Sequence, residues 1–255
     1  MIKEGCYILN TNNGSFVVDT KDYIGWRLFN EHVWEPKILE IYKKLLKPNH
    51  IVIDVGSHMG YHTVNFGFNS QHVFAFEPQR HLYNQTLGNV FLNGLDEKIT
   101  CYNVGLGKSN KKSSMENVEK HNTLNWEGND GIELINYGGR CVDDNLSDEN
   151  ITIKTLDSFN LSPNFIKIDV EGYELKVFQG AKKTIQKFLP ILFFECYIKH
   201  QQEVFKLINN MGYEIIKVPN YEAEDIDFIG LHPNSENYSE IKQILINNFN
   251  LKQIA

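Results

Sequence analysis

Apolar positions along this chain follow two rhythms. Short runs in which nearly every residue is apolar alternate with longer stretches where apolar residues recur every three or four positions, the marks of buried strands and half-buried helices. Residues 51–53 and 72–76 read as the first two buried strands, 61–69 and about 81–93 as the helices after them, and 99–104 as a third strand. Beyond a polar interval the rhythm returns with strands at 151–154 and 165–168, a helix near 174–188, the strongly apolar strand 191–194 and a helix at about 201–211. Two further strands, 213–218 and 227–231, are close enough to be antiparallel neighbours, and a helix near 239–248 follows. Strands that alternate with helices predict an α/β fold, a mostly parallel sheet with helices on both faces.

Ahead of this unit, residues 7–9 and 16–18 flank the turn signal Asn12-Asn13-Gly14 and predict a hairpin within an N-terminal extension, 1–33. Pro36 suits the first turn of a helix reaching about Lys47, with Ile38, Leu39, Ile41, Tyr42, Leu45 and Leu46 as its apolar face. Residues 34–255 then read as one domain. The interval 107–150 is rich in Asn, Gly, Ser and Asp and is predicted to be an insertion with little regular structure. Such segments are either lids and binding loops or disordered stretches.

Composition narrows the function. With 255 residues, 42% of them apolar, the chain supports one substantial core. A formal charge of -7 with scattered lysines offers phosphate backbones no attraction, so no nucleic-acid partner is expected. Cys6, Cys101, Cys141 and Cys196 form no C-x-x-C pair, which suggests neither a zinc knuckle nor a disulfide framework. No signal-like or bilayer-spanning apolar run is visible, and a cytoplasmic location without a membrane partner is expected.

The most informative stretch is Asp54-Val55-Gly56-Ser57-His58-Met59-Gly60 with Thr63 just beyond it, where a buried strand runs through a glycine-punctuated turn into a helix. Such a junction cradles ligands. A dinucleotide fingerprint needs glycine where His58 stands, to let the backbone approach a pyrophosphate. S-adenosylmethionine carries no pyrophosphate, and Asp54 at the strand end is placed to face its cationic amino group or sulfonium. Glu77 ends the second strand, where a carboxylate accepts ribose hydroxyls. Asn103 and Val104, at the exit of the third strand, are candidates for contacting adenine, or else a simple strand-exit turn.

These residues, with Phe76-Glu77-Pro78, Leu92-Asn93 and Ile166-Lys167-Ile168-Asp169-Val170-Glu171-Gly172-Tyr173-Glu174, resemble the FkbM-type methyltransferases. Gly180-Ala181 and residues 190–195 extend the likeness, which covers roughly 52–195. It implies a Rossmann-like class I methyltransferase fold with a seven-stranded sheet whose C-terminal strand is antiparallel. It also implies S-adenosylmethionine as cofactor and transfer of methyl groups to hydroxyls of sugars or natural products. Carried over by position, Asp54, Gly56 and Gly60 hold the methionine portion and Glu77 the ribose. One departure is Ser57-His58 where Ala-Asn is usual; another is the segment 108–150, which aligns with nothing in the family.

Methyl transfer to a hydroxyl needs the acceptor held in line and its proton removed by a base or a metal ion. Asp169 follows the strand 165–168, Glu195 follows 191–194, and Glu171 lies two residues beyond Asp169. If these carboxylates converge, one acts as base, which is the preferred reading, or together they share magnesium. The bland alternatives are that Asp169 and Glu171 cap the helix near Glu174 and that Glu195 pairs with Lys167 or Lys199. His121, within the polar insertion, is a further candidate base, although a lone loop histidine is more often solvated. Glu35, just before the Pro36 helix, either reaches the cofactor or stabilises that helix. A nicotinamide oxidoreductase would show glycine at position 58, and an adenine amino-group methyltransferase would show an N-P-P-aromatic run where Asp169-Val170-Glu171-Gly172 stands. A methylated non-sugar hydroxyl or a non-catalytic S-adenosylmethionine-binding module are the remaining competitors.

Overall fold

Apolar runs of four or five residues form the centre of the computed structural model, which describes residues 5–116, 134–144, 149–219, 227–249 and 251–254. In chain order the elements begin with the strands β1 (Cys6–Thr11) and β2 (Gly14–Asp19), the helices α1 (Tyr23–Glu31) and α2 (Pro36–Leu45), then β3 (Ile51–Val55), α3 (Tyr61–Asn69), β4 (His72–Phe76) and α4 (Arg80–Leu92). They continue with β5 (Ile99–Tyr102), β6 (Gly105–Leu106), β7 (Lys111–Met115), β8 (Val142–Asp143), β9 (Glu149–Lys154) and β10 (Phe165–Ile168). The last are α5 (Glu174–Gly180), α6 (Lys182–Phe188), β11 (Ile191–Glu195), α7 (Ile198–Asn209), β12 (Glu214–Val218), β13 (Asp227–Leu231), α8 (Tyr238–Phe249) and β14 (Lys252–Gln253).

The main sheet has the order β5-β4-β3-β10-β11-β13-β12-β14. Its first five strands are parallel, and β13 enters antiparallel between β11 and β12. Seven strands thus reproduce the expected class I arrangement, and the two-residue β14 adds an eighth at the edge. Alternate side chains of the central strands feed two cores. Val52, Phe165, Ile191 and Phe193 pack with Leu39, Tyr42 and Phe66 on one face. Ile53, Ile166, Leu192 and Phe194 pack with Val177, Phe178 and Ile208 on the other. Burial on both faces explains why these strands read as continuous apolar runs, and each such side chain contributes roughly 1.5–3 kcal/mol.

The N-terminal hairpin forms as expected and is docked by amide side chains. Asn93 accepts from the Ser15 N–H at 2.9 Å and donates to the Ser15 carbonyl at 2.7 Å, while Asn89 accepts from the Val17 N–H at 2.6 Å. The edge of β2 is satisfied by a helix in place of a third strand.

Three elements differ from the sequence reading. Helix α1 is an element that the sequence reading lacks; of its nine residues only Gly25 and Leu28 are buried, and Asp22 caps it by accepting from the Gly25 N–H at 2.9 Å. The stretch 174–188 is interrupted at Ala181, where the chain at Gly180 presses against Gly107 so closely that a Cβ would lie 1.9 Å from its carbonyl oxygen. The strand at 151–154 does not join the main sheet. It belongs to β9, which pairs with β6 and β7 in a separate sheet of order β6-β9-β7-β8. The polar interval 107–150 therefore carries strands β7 and β8 where irregular chain was expected, and Met115, Ile151 and Ile153 give this sheet its own small core. Among the described residues no helix is long and apolar enough to cross a membrane.

Candidate active site

Register decides which residues meet at the carboxyl edge of the sheet. Val55 is level with Phe76 on one side and with Ile168 on the other, and Ile168 is level with Phe194. The next residue on each strand therefore emerges in one row: Glu77, Gly56, Asp169 and Glu195, continued by Asp227, which pairs with Glu195. Two adjoining cavities open over this row, both lined by Gly56, His58, Asp169 and Glu171. This is the edge at which open α/β sheets bind ligands.

The turn after β3 brings backbone close to that edge. Gly56 has φ 79° and lies against the Asp169 carbonyl, where a Cβ would sit 1.9 Å from the oxygen, so no other residue fits. His58 is also left-handed, at φ 51°. Asparagine and histidine tolerate that region better than other side chains, a physical reason why histidine stands where asparagine is usual. The His58 N–H donates to Glu77 Oε2 at 2.9 Å and the Gln79 N–H to Glu77 Oε1 at 2.8 Å, fixing the carboxylate at the first cavity beside Phe76, Pro78 and Leu106. The His58 ring points toward the cap of α1, with Nε2 3.7 Å from Asp22 Oδ1. The insertion closes the roof: Arg140 donates to Gln79 at 2.8 Å, and the Gln79 amide donates to the Tyr137 carbonyl at 2.9 Å.

Several predicted cofactor residues stand behind this surface. Asp54 is fully buried and does not line either cavity; Thr63 donates to it at 2.6 Å and the Lys167 ammonium lies 3.7 Å away. The direct charge contact expected of Asp54 is replaced by an internal one, because Lys167, level with it on β10, supplies the cation. Gly60 begins α3 at φ 84° and packs against Thr86. The Asn103 amide donates to the carbonyls of Glu77 and Pro78 at 2.9 and 3.0 Å, and Val104 packs on the core, so both brace the β4 exit from behind.

The structure brings together Asp169, Glu171 and Glu195, each offering a carboxylate oxygen within 4.8 Å of the others. Lys167 also reaches Asp169 at 3.1 Å and the Gly56 carbonyl at 3.4 Å. Burial pushes the Asp169 carboxyl up, but Lys167 and a hydrogen bond from Glu195 outweigh it and hold it at about 2. Burial and the Asp169 charge lift Glu171 to about 8, and burial with Asp169 and Glu171 lifts Glu195 well above the carboxylate range. Glu171 is left-handed at φ 55°, a conformation that non-glycine residues hold mainly where surroundings impose it. Its carboxylate accepts from the Tyr197 hydroxyl and its carbonyl from the Cys141 thiol. Neither Asp169 nor Glu171 caps α5, whose N-cap is Tyr173; Glu174 instead accepts from the Gly172 N–H at 2.9 Å.

Glu35, at the left-handed N-cap of α2, lines the second cavity and meets His62 Nε2 at 2.9 Å. His121 lies outside the described residues. Sequence reasoning gave Lys167 no site role, although a lysine inside the buried strand Phe165–Ile168 is itself a signal, since such a charge persists only when paired. Tyr197 and Asp227 carried no comparable mark, since register and loop geometry place them.

The model of the Methyltransferase FkbM domain family matches residues 54–215. No curated protein matches the sequence. Among solved structures, methyltransferase FkbM from Methylobacillus flagellatus KT superposes with a TM-score of 0.52 at 18% identity, covering 74% of this chain and 47% of that one. The chain thus spans about half the length of that protein. Wild-type Trm5b from Pyrococcus abyssi superposes with a TM-score of 0.51 at 14% identity, covering 90% of this chain and 56% of that one. At such identities the likeness speaks for the fold, whereas the family match takes in both the Gly56 turn and the Asp169–Glu195 cluster, and on it this chain belongs to the FkbM methyltransferase domain family.

Proposed function

We propose that this chain is an S-adenosylmethionine-dependent O-methyltransferase whose acceptor is a hydroxyl of a sugar. The observation that supports it most is the row of Glu77, Gly56, Asp169 and Glu195 along one sheet edge, with Glu171 beside them. The residues fit the donor: Gly56 leaves bare backbone where any Cβ would collide, a fixed Glu77 carboxylate suits ribose hydroxyls, and Phe76 and Leu106 give the adjoining cavity apolar wall. When bound, S-adenosylmethionine supplies an electrophilic methyl group on a positively charged sulfur.

The remaining chemistry belongs to the protein. Glu171, lifted to about 8, is the group suited to take the hydroxyl proton near neutral pH, and Tyr197 orients it. Asp169 stays ionised beside Lys167 and provides negative charge at the cavity junction, while Glu195 keeps its proton and donates it to Asp169. A shared magnesium ion is the less favoured reading, because Asp169 already has a cation at 3.1 Å and a hydrogen bond from Glu195. The acidic second cavity of about 360 Å³ and the formal charge of -7 favour a small acceptor over a phosphate-bearing polymer.

Calorimetry with S-adenosylmethionine, followed by labelled methyl uptake across sugars, nucleotide-sugars and phenols, tests the reading. Binding of the donor with uptake by a sugar supports it. Absence of donor binding, or uptake by phenols alone, rejects it.

A further inference from the structure

The second cavity carries more carboxyl groups than the proposed proton transfer uses. Glu35, Asp169, Glu171, Glu195 and Asp227 all line it. Among the described residues the only lysine or arginine lining it is Lys167, already engaged by Asp54 and Asp169; His58 and His62 stand there too, beside Asp22 and Glu35. With Glu195 protonated and Glu171 lifted to about 8, the acids left toward Tyr42 are Glu35, which meets His62 at 2.9 Å, and Asp227.

A second observation points to a ligand there. Tyr42 is 2% exposed and lines the cavity, and among the described residues its buried hydroxyl has no hydrogen-bond partner. Glu35 and Asp227 act on this hydroxyl through their charge. A buried hydroxyl without a partner costs on the order of 1–3 kcal/mol, a cost that a bound polar group removes. The neighbouring walls are aromatic: Tyr42 meets Phe193 edge-on at 4.9 Å, and Trp34, Tyr61 and Tyr197 complete them. Hard divalent cations surround themselves with six or more oxygens, whereas aromatic faces combined with carboxylates are the surroundings that attract an organic ammonium. Sugar C–H faces pack against the same rings.

We propose that the acceptor bears a positive charge near its reacting hydroxyl, as a protonated amino sugar does, and that Glu35, Asp227 and the Tyr42 hydroxyl receive its ammonium group. This rests on the methyl-transfer reading of the same crevice and narrows the acceptor to a class. The ammonium N–H groups donate to the two carboxylates and to the Tyr42 oxygen, and the acceptor hydroxyl is left for Glu171.

The test is calorimetry on the full chain, with and without S-adenosylhomocysteine, using glucosamine and N-acetylglucosamine as probes. Glucosamine is expected to bind at least about tenfold more tightly, since acetylation removes the charge that the carboxylates recognise. Asp227→Asn and Glu35→Gln should erase that preference while S-adenosylhomocysteine affinity is retained, which also shows that both variants fold. Equal affinity for the two sugars, or binding of neither, overturns the proposal. So does competition by Mn²⁺ for the glucosamine site, which would assign the acids to a metal. Equal methyl uptake by neutral and amino sugars leaves the methyltransferase reading intact and removes this one. Failure of S-adenosylhomocysteine to bind counts against the parent reading, and the sugar preference of the chain alone still decides whether the acidic cavity selects amines.

Discussion

Lys167 extends its ammonium to within 3.1 Å of Asp169 from a side chain that is 4% exposed, and on its other side Asp54 lies 3.7 Å away. One buried cation thus serves two carboxylates, Asp54 behind the Gly56 turn and Asp169 in front of it. Burial alone would discharge the lysine, but the two carboxylates overcome this and raise its pKa above the ordinary value. Replacing it by methionine of similar length strands the fully buried charge of Asp54 and removes the partner of Asp169, whose side chain is 39% exposed. Lys167→Met is expected to lose about 3–5 kcal/mol, the scale for breaking a buried pair. Adding Asp54→Asn should recover part of that loss, and urea denaturation midpoints of the single and double variants check both statements. Equal stability of Lys167→Met and the parent would show that the acids do not depend on this cation.

Glu171 carries the pH dependence of the proposed reaction. Its carboxyl, lifted to about 8 by burial and by Asp169, acts only when ionised, so kcat/KM should rise with pH and level off above about pH 8. The Tyr197 hydrogen bond favours the ionised form. Tyr197→Phe should therefore move the inflection to higher pH with donor affinity unchanged, a shift that a merely structural tyrosine would not cause. Glu171→Gln should abolish turnover, and chelation with EDTA should leave it unaltered. A flat profile between pH 6 and 9, or loss of activity on chelation, would overturn the assignment of Glu171 as base.

Much of this arrangement was legible in the residues, for identifiable reasons. Strands buried on both faces announce themselves as apolar runs, so the ends of β3, β4, β10 and β11 were placed to within a residue or two, and with them Gly56, Glu77, Asp169 and Glu195. Strand order and register are not written in such runs. The pairing of Asp227 with Glu195 depends on β13 inserting between β11 and β12, and the burial of Asp54 depends on Lys167 being level with it. The second sheet was hidden for a related reason. Its strand Lys111–Met115 buries Ser113 and Ser114, whose hydroxyls bond within the sheet region, so polar composition concealed a buried strand.

Glu174 offers a stability test separate from catalysis. It is 1% exposed, burial lifts its carboxyl to about 7 despite the N–H of Gly172, and among the described residues its Oε2 has no hydrogen-bond partner. A carboxyl whose folded pKa lies above its unfolded value keeps its proton more firmly in the native state. Its contribution is complete below the unfolded pKa and is lost as pH rises toward the folded one. Glu174→Gln keeps an acceptor for Gly172 and removes this titration. The variant should match the parent near pH 4.5 and exceed it by on the order of 2 kcal/mol at pH 8. Thermal or denaturant curves at the two pH values decide the matter, and a parallel offset at both would show that Glu174 does not titrate in this range.

His58 separates what the backbone of the turn needs from what its ring adds. With φ at 51°, its N–H is aimed at Glu77 Oε2, while the ring reaches toward Asp22 at the cap of α1. Asparagine adopts the left-handed region readily, whereas a β-branched residue there is strained by about 1–2 kcal/mol. His58→Asn should keep the hydrogen bond to Glu77 and leave S-adenosylmethionine affinity within a few-fold. His58→Val should turn the N–H away from Glu77 and weaken that affinity by about tenfold or more, the scale of one hydrogen bond to a charged group. The ring makes a different contribution, because it joins the Gly56 turn to the N-terminal extension that carries Tyr23 and Ile24 into the second cavity. His58→Asn should therefore raise the acceptor KM while sparing the donor. If both variants bind the donor as the parent does, the turn does not depend on position 58, and Glu77 does not need the His58 N–H.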